Sequence, residues 1–520
     1  MARSDLICRH PLLSLTAGLL GLSAALPGSA SALTNFTAGD LVISTVTCSA
    51  GSSACSSASG GLDTASPITL MQFQLNGAGT VAAAAGTLTL PQTANGANAA
   101  ISGEYGSASE GILQLSGNGQ YLTMMGYGVN ANVFNSAALA TYGNAALGQS
   151  ISVANGTNTV VPRVVALINA SATVDTTTAL TGVFNTNNPR SAATVDGSSF
   201  YITGQGVTGD GTGGVFYATK GATTATAITA STTIPGGNPN GTASATYGTE
   251  ARVAEIVNTG SGNVLTVSRD VKAAGTPNDT TDIRSLTNAA GGLPTSAAGL
   301  VGTRLINPTA SGTGSSLGGN TGSINLTAGL ANGVNNSRIG KFVYLSPEQF
   351  FFADANTMYV ADSGAPKNGS AGAAGLGEGG LQKWSLIGGV WTLDYDLVSG
   401  LNLVNNATAN AATPTAPGVT GLFGLTGQVV GGQVELFATS YGLNELSTSY
   451  LYEITDTLAF STITQAASET FTTLYTAASG TDIRGVSFAP APEPASIALI
   501  SVALGGLGLT RRRRATAARV

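Results

Sequence analysis

The chain has 520 residues, 71 of them glycine, with 9% charged residues, a formal net charge of −6 and one histidine. Gly, Ser, Thr and Asn are poor helix formers, which excludes a fold built on long helices. A content of 43% apolar residues and a mean hydropathy of +0.23 exclude a wholly unfolded chain.

The first 32 residues have a basic start (Arg3, Arg9), an apolar middle from Leu12 to Leu26 and small residues at Ala30-Ser31-Ala32. That layout predicts a secretory signal helix cleaved near Ala30 and Ala32. The sole histidine, His10, would leave with it. Two cysteines then remain, Cys48 and Cys55, inside "TCSAGSSACSS". In an oxidising compartment such a pair predicts a disulfide pinning a loop, and without histidine a zinc site is a poor alternative.

The body, 33–489, alternates apolar and polar residues between Gly-rich turns, which predicts short strands. One order recurs: strand, strand, long loop, strand, tight turn, strand. It runs through 107–184, 188–230, from 249 onward, 338–400 and 418–478, with first strands near Ile112, Ala193, Val253, Phe342 and Leu422. Four strands per unit is the content of a β-propeller blade. At the ends, "TDIRGVSFAP" (481–490) reads as a first strand with nothing after it. "GDLVISTV" (39–46) reads as a second strand, and 67–91 supplies a third and a fourth. Joined, these make one composite blade closing the ring, as an open edge would leave unpaired backbone groups. The expectation is therefore an all-β chain, a six-bladed propeller of four-stranded blades with N- and C-terminal strand closure, seven blades being the runner-up. A parallel β-helix and paired β-sandwiches are the other architectures this composition admits. "NTMYVADSG" (356–364) also resembles the strand of NHL-type propellers.

Chemistry is harder to find. Without histidine after export, a Ser-His-Asp triad lacks a member, and no phosphate-binding loop is present. Two carboxylates suffice for a glycosidase. Asp196, Asp270, Asp354, Asp362 and Glu435 stand at strand ends, where shaping a turn is the alternative role. "TGDGTGG" (208–214) and 353–364 offer hard oxygens that suit Ca²⁺, again as turn residues in the alternative. Long Gly/Ser/Asn-rich loops at 47–66, 129–159 and 365–378 join second to third strands and so share one face. With Tyr127 and Tyr142 they could contact a glycan or a protein, or serve as spacers.

The chain finishes with Pro492-Glu493-Pro494, an apolar run from 495 to 510 and Arg511, Arg512, Arg513 and Arg514. Sixteen helical residues reach about 24 Å, a marginal membrane span that snorkelling arginines can lengthen. This tail, 490–520, resembles the PEP-CTERM sorting signal of Gram-negative bacteria. The resemblance implies recognition by an exosortase-type membrane enzyme, cleavage near the Pro-Glu-Pro, and release at the cell surface or beyond, where such proteins accompany extracellular polysaccharide and biofilm. Residues 1–32 carry two arginines and one aspartate, and 495–520 five arginines and no acid; removing both from 20 basic and 26 acidic residues leaves 13 against 25. A body at net −12 is not a nucleic-acid partner. The expected role is non-catalytic binding or adhesion, with a carboxylate-based polysaccharide-degrading enzyme or a plain spacer as alternatives.

Overall fold

The computed structural model describes residues 31–48, 63–75, 81–106, 110–207, 209–229, 251–269, 282–306, 315–318, 323–326, 331–332, 341–344, 346–364, 379–401, 403, 418–442 and 447–493. Strands dominate. In chain order the first are β1 (Leu41–Thr47), β2 (Thr64–Leu75), β3 (Val81–Thr89), β4 (Ser102–Tyr105), β5 (Gln114–Leu115) and β6 (Tyr121–Tyr127). A six-residue helix follows, α1 (Ala131–Ser136), started by the Asn130 side chain, which accepts from Val133 N. Then come β7 (Arg163–Asn169) and β8 (Val174–Leu180).

Four discrete blades follow. The first is β9 (Pro189–Ala193), β10 (Ser199–Gly204), β11 (Gly214–Thr219) and β12 (Thr226–Thr229). The second is β13 (Ala254–Asn258), β14 (Asn263–Arg269), β15 (Asp282–Thr287) and β16 (Val301–Ile306). Next, β17 (Ser315–Gly318), β18 (Ser323–Leu326) and β20 (Lys341–Tyr344) make a small separate sheet, and β19 (Ala331–Asn332) pairs with β24 (Val390–Leu397). The third blade is β21 (Pro347–Asp354), β22 (Thr357–Asp362), β23 (Gly380–Ile387) and β24. The fourth is β25 (Val419–Val430), β26 (Gln433–Gly442), β27 (Tyr450–Thr457) and β28 (Thr472–Thr476).

The terminal strand β29 (Thr481–Phe488) pairs antiparallel with β1, Leu41 opposite Phe488 and Thr47 opposite Thr481. β2 and β3 continue that sheet outward. The two ends are thus stitched in the expected order. Six separate blades are not formed, however. The strands expected to make the first and last blades lie in one nine-stranded sheet. The physical reason is β2: its start, Thr64–Pro67, pairs with β4, while Thr69 onward pairs with β3. β4 then meets β6 at Ser102 and Tyr127, so a segment outside both expected units joins them. A second correction concerns Phe342, read as a first strand; it belongs to the small sheet, and the inner strand of its blade is β21.

The arrangement is that of a β-propeller. Apolar clusters fill each seam between neighbouring sheets: Phe200 and Phe216 against Val165 and Leu180, then Leu265 and Val267 against Tyr201. Beyond these, Trp384 packs against Ile283, and Leu436 and Ile454 against Tyr359. Ile43, Phe73 and Phe437 fill the seam at the joined ends, and Val42 and Ile68 meet Leu122 and Val164. Burying each such side chain contributes roughly 1.5–3 kcal/mol.

A polar device repeats beside these seams. The Ser44 hydroxyl accepts from Gly485 N (2.8 Å) and donates to Gly111 O (2.5 Å). Ser268 accepts from Val253 N and donates to Glu348 O; Thr439 accepts from Gly424 N and donates to Arg484 O. Thr123 and Thr203 donate likewise to Ala192 O and Arg252 O. Ser268, Thr439, Thr123 and Thr203 reach from the second strand of one blade to the inner segment of the next, whereas Ser44 ties β29 to the segment before β5 within one sheet. The ladder is irregular at Ser44 and Gly424, where a bulge leaves an N–H for the hydroxyl to take.

Candidate functional site

The inner strands converge on a cavity of about 140 Å³, lined by Gln114, Thr194, Glu255, Gln349, Leu425 and Ser487. In β13, Ala254 and Ile256 pack into the seam with the preceding blade. Strand alternation turns the intervening Glu255 the other way, toward the cavity. Gln349 organises this floor: its amide donates to Leu113 O (3.3 Å), accepts from Leu425 N (3.0 Å) and hydrogen-bonds Glu255. Gln114 Nε2 donates to Ala254 O (2.5 Å). Burial pushes the Glu255 carboxyl up to about 8, and Gln349 offsets this only in part. At neutral pH it is chiefly a neutral acid, able to donate a hydrogen bond.

Glu255 also borders a larger cleft, about 560 Å³, between the second and third blades. This lies within the range of small-molecule sites. Phe351, Phe352, Leu305, Leu386 and Trp391 give it an apolar wall, with Phe352 and Trp391 edge to face at 5.8 Å. Asn258, Thr266, Ser285 and Asp354 supply polar edges.

The sequence-selected carboxylates are scattered. Asp196 is exposed and accepts from Ser198 N and Oγ, a turn that lowers its pKa. Asp362 is 1% exposed and accepts from Ser346 N, Gly364 N and Gln382 Nε2. Glu435 accepts from Gln428 Nε2 at 2.7 Å. Asp354 accepts from Asn356 N in the β21–β22 turn, yet it lines the cleft with Glu255. Asp270 lies outside the described residues. In the 208–214 segment Asp210 holds Thr212 N and Oγ1, a turn role. Among the described residues no group of three or more His, Cys, Asp or Glu is placed to hold a metal ion.

The loop reading is corrected for 129–159; residues 365–378 and most of 47–66 lie outside the described residues. Tyr127 is fully buried and Tyr142 is 9% exposed, stacked on Phe134 at 5.0 Å. With Val129, Leu147 and Val161 they form a small core, so 129–159 is a packed element. The cleft opens instead where the tight turns after β13, β21 and β23 lie, at the opposite strand ends. Beneath the packed loop Glu104 accepts from Gly148 N (2.7 Å) and Asn188 Nδ2 (3.0 Å). Burial and the neighbouring Glu110 raise its carboxyl to about 8, but at 4% exposure it is sealed.

Cys48 is disulfide-bonded, and both other cysteines, Cys55 among them, lie outside the described residues. Ala32 bridges Thr87. Pro492 and Glu493 are exposed; Ala30, Pro494, the 495–510 run and Arg511–Arg514 lie outside. Among the described residues no helix is long and apolar enough to cross a membrane.

Sequence reasoning missed Glu255, which lies in "TEARVAEIVNTG" (249–260). The available signal was one acid between Val253-Ala254 and Ile256-Val257, on a strand otherwise destined for the interior.

The sequence matches no protein-family model and no curated protein. Solved structures give distant similarities. A polysaccharide lyase, an ulvan lyase bound to an oligosaccharide, is 9% identical over 87% of this chain and 84% of its own, with a TM-score of 0.32. The β-propeller domain of the Trilobed protease from Pyrococcus furiosus is 8% identical over 74% and 78%, with a TM-score of 0.22. A xylan β-1,4-xylosidase from Bacillus halodurans is 10% identical over 80% and 74%, at 0.22. None of these scores assigns an activity.

Proposed function

We propose that this chain is an exported propeller, sorted to the cell surface or matrix by its C-terminal tail, whose body binds a polysaccharide without cleaving it. The observation that carries the binding reading is the cleft beside Glu255, where the Phe352 and Trp391 rings share one site with the polar groups of Glu255, Asn258, Ser285 and Asp354. A sugar ring has an apolar face for Trp391 and Phe352 and hydroxyls for Glu255, Asn258 and Ser285. The acidic body disfavours anionic ligands, so a neutral polysaccharide fits best.

Titration calorimetry against a panel of neutral and anionic polysaccharides tests this. Binding to a neutral member should weaken at least tenfold in Trp391→Ala, and should decline as pH rises through about 8 while Glu255 ionises. Unchanged affinity in Trp391→Ala would place the ligand elsewhere. Fractionation of a variant lacking 491–520 tests the sorting: it should remain in a different compartment from the wild type.

A second reading is favoured by Asp354 lining the same cleft. Glu255 would act as general acid and Asp354 as base or nucleophile in glycoside hydrolysis. Release of reducing ends by the wild type, abolished in Glu255→Gln with binding retained, would select this reading over the first.

A further inference from the structure

Between the third and fourth blades a lysine and an aspartate are wholly enclosed. Lys383 Nζ, on β23, lies 2.7 Å from Asp456 Oδ2, on β27, and neither side chain is exposed. The hydroxyls of Tyr359 and Tyr395 both donate to Asp456, and their rings stand 5.5 and 5.3 Å from Nζ. Thr457 O and Leu458 O, each 3.0 Å from Nζ, hold the amine in place. Glu469 hydrogen-bonds Asp456 and is itself fixed by Thr457 N at 3.1 Å.

We propose that Lys383 and Asp456 condense into an intramolecular amide, an isopeptide cross-link between neighbouring blades, with Glu469 as the proton carrier. The reaction begins when the lysine proton crosses the 2.7 Å contact to Asp456 Oδ2. The neutral amine nitrogen then adds its lone pair to Asp456 Cγ, forming the C–N bond. The Tyr395 hydroxyl hydrogen-bonds Oδ1, the oxygen that takes up the electron pair, while the Tyr359 hydroxyl stands at Oδ2, the oxygen that departs. Glu469 gives a proton to the departing hydroxyl and receives one from nitrogen, ending as it began. One amide and one water result, with no oxidant or reductant. Burial and then the Asp456 hydrogen bond raise the Glu469 carboxyl to about 8, which keeps its proton available at pH 7. Fixed juxtaposition replaces any need for an external activating group.

The test is a tryptic digest of the denatured full chain, read by mass spectrometry. Trypsin cuts after a free lysine, and between Lys367 and Arg484 the only other basic residue is Lys383. The cross-linked chain should yield 368–484 as one piece, lighter than its sequence by one water, about 18 Da. In Glu469→Gln cleavage at Lys383 should return and the mass deficit vanish. Wild type cut at Lys383 with unaltered mass would overturn the proposal, leaving an ion pair. A cross-link persisting in Glu469→Gln would overturn the role given to Glu469.

Discussion

At residue scale, titration links the cavity floor to stability. Glu255 ordinarily titrates at 4.5 and is raised to about 8 in the folded chain. Its contribution is therefore full below pH 4.5 and is lost progressively as pH climbs to about 8, each unit being worth ~1.4 kcal/mol. Asp282 runs the other way. Burial pushes it up, but Arg269, Arg284 and Arg304 together hold it well below its usual 3.8, so its contribution is present above that value and is lost in acid. Maximum stability should fall near pH ~4 to 5, on the acid side of neutrality. Thermal melts of wild type and Glu255→Gln check this: the two should coincide at pH 4.5, and the variant should melt higher at pH 8. A wild-type curve flat across that range would show that Glu255 ionises freely in the fold.

The strand elements depend on the hydroxyls that couple sheet to sheet. Thr439 is fully buried and serves two backbone groups, Gly424 N and Arg484 O. Thr439→Val keeps the shape and orphans both, at a cost on the order of 2 kcal/mol. Thr472→Val, exposed on β28, should stay within about 0.5 kcal/mol. Chemical denaturation of the pair measures the difference, and equal midpoints would mean the hydroxyl is dispensable. Gly485 is the sharper case. A Cβ there would lie 2.2 Å from Leu113 N and 2.6 Å from Gly111 O, backbone atoms that cannot swing aside. Gly485→Ala should therefore loosen the contact of β29 with the segment before β5, seen as faster hydrogen exchange at Leu113 and Gly485 than at β10.

For the molecule as a whole, closure by the two ends is the organising event. Deleting 481–489 removes the partner of β1 and leaves Leu41–Thr47 as a bare, apolar edge. The truncated chain should aggregate at concentrations where the full chain stays monodisperse by light scattering. Much of this plan was legible. Ala193, Val253 and Leu422 mark inner strands correctly because alternation and glycine-bearing turns are local signals. Phe342 misled because its apolar alternation is the same whether a strand joins the ring or a side sheet. The fusion through β4 was illegible for a similar reason: Ser102–Tyr105 is a short polar-apolar run whose partner, β2, is chosen only when the sheets are in place.

Composition and pattern alone determined the all-β class, the recurrent four-strand order and the pairing of the chain ends, since each follows from backbone preferences and the penalty for an open edge. Only the tertiary structure decided which acid matters. Asp196, Asp362 and Glu435 find hydrogen-bond donors in turns or within their own blades, while Glu255, set in an apolar run, faces a cavity bounded by several blades. The same holds for Lys383 and Asp456, 73 residues apart and brought within 2.7 Å by packing of neighbouring sheets. A carboxyl's chemistry is set by its surroundings, and here those are assembled from distant segments.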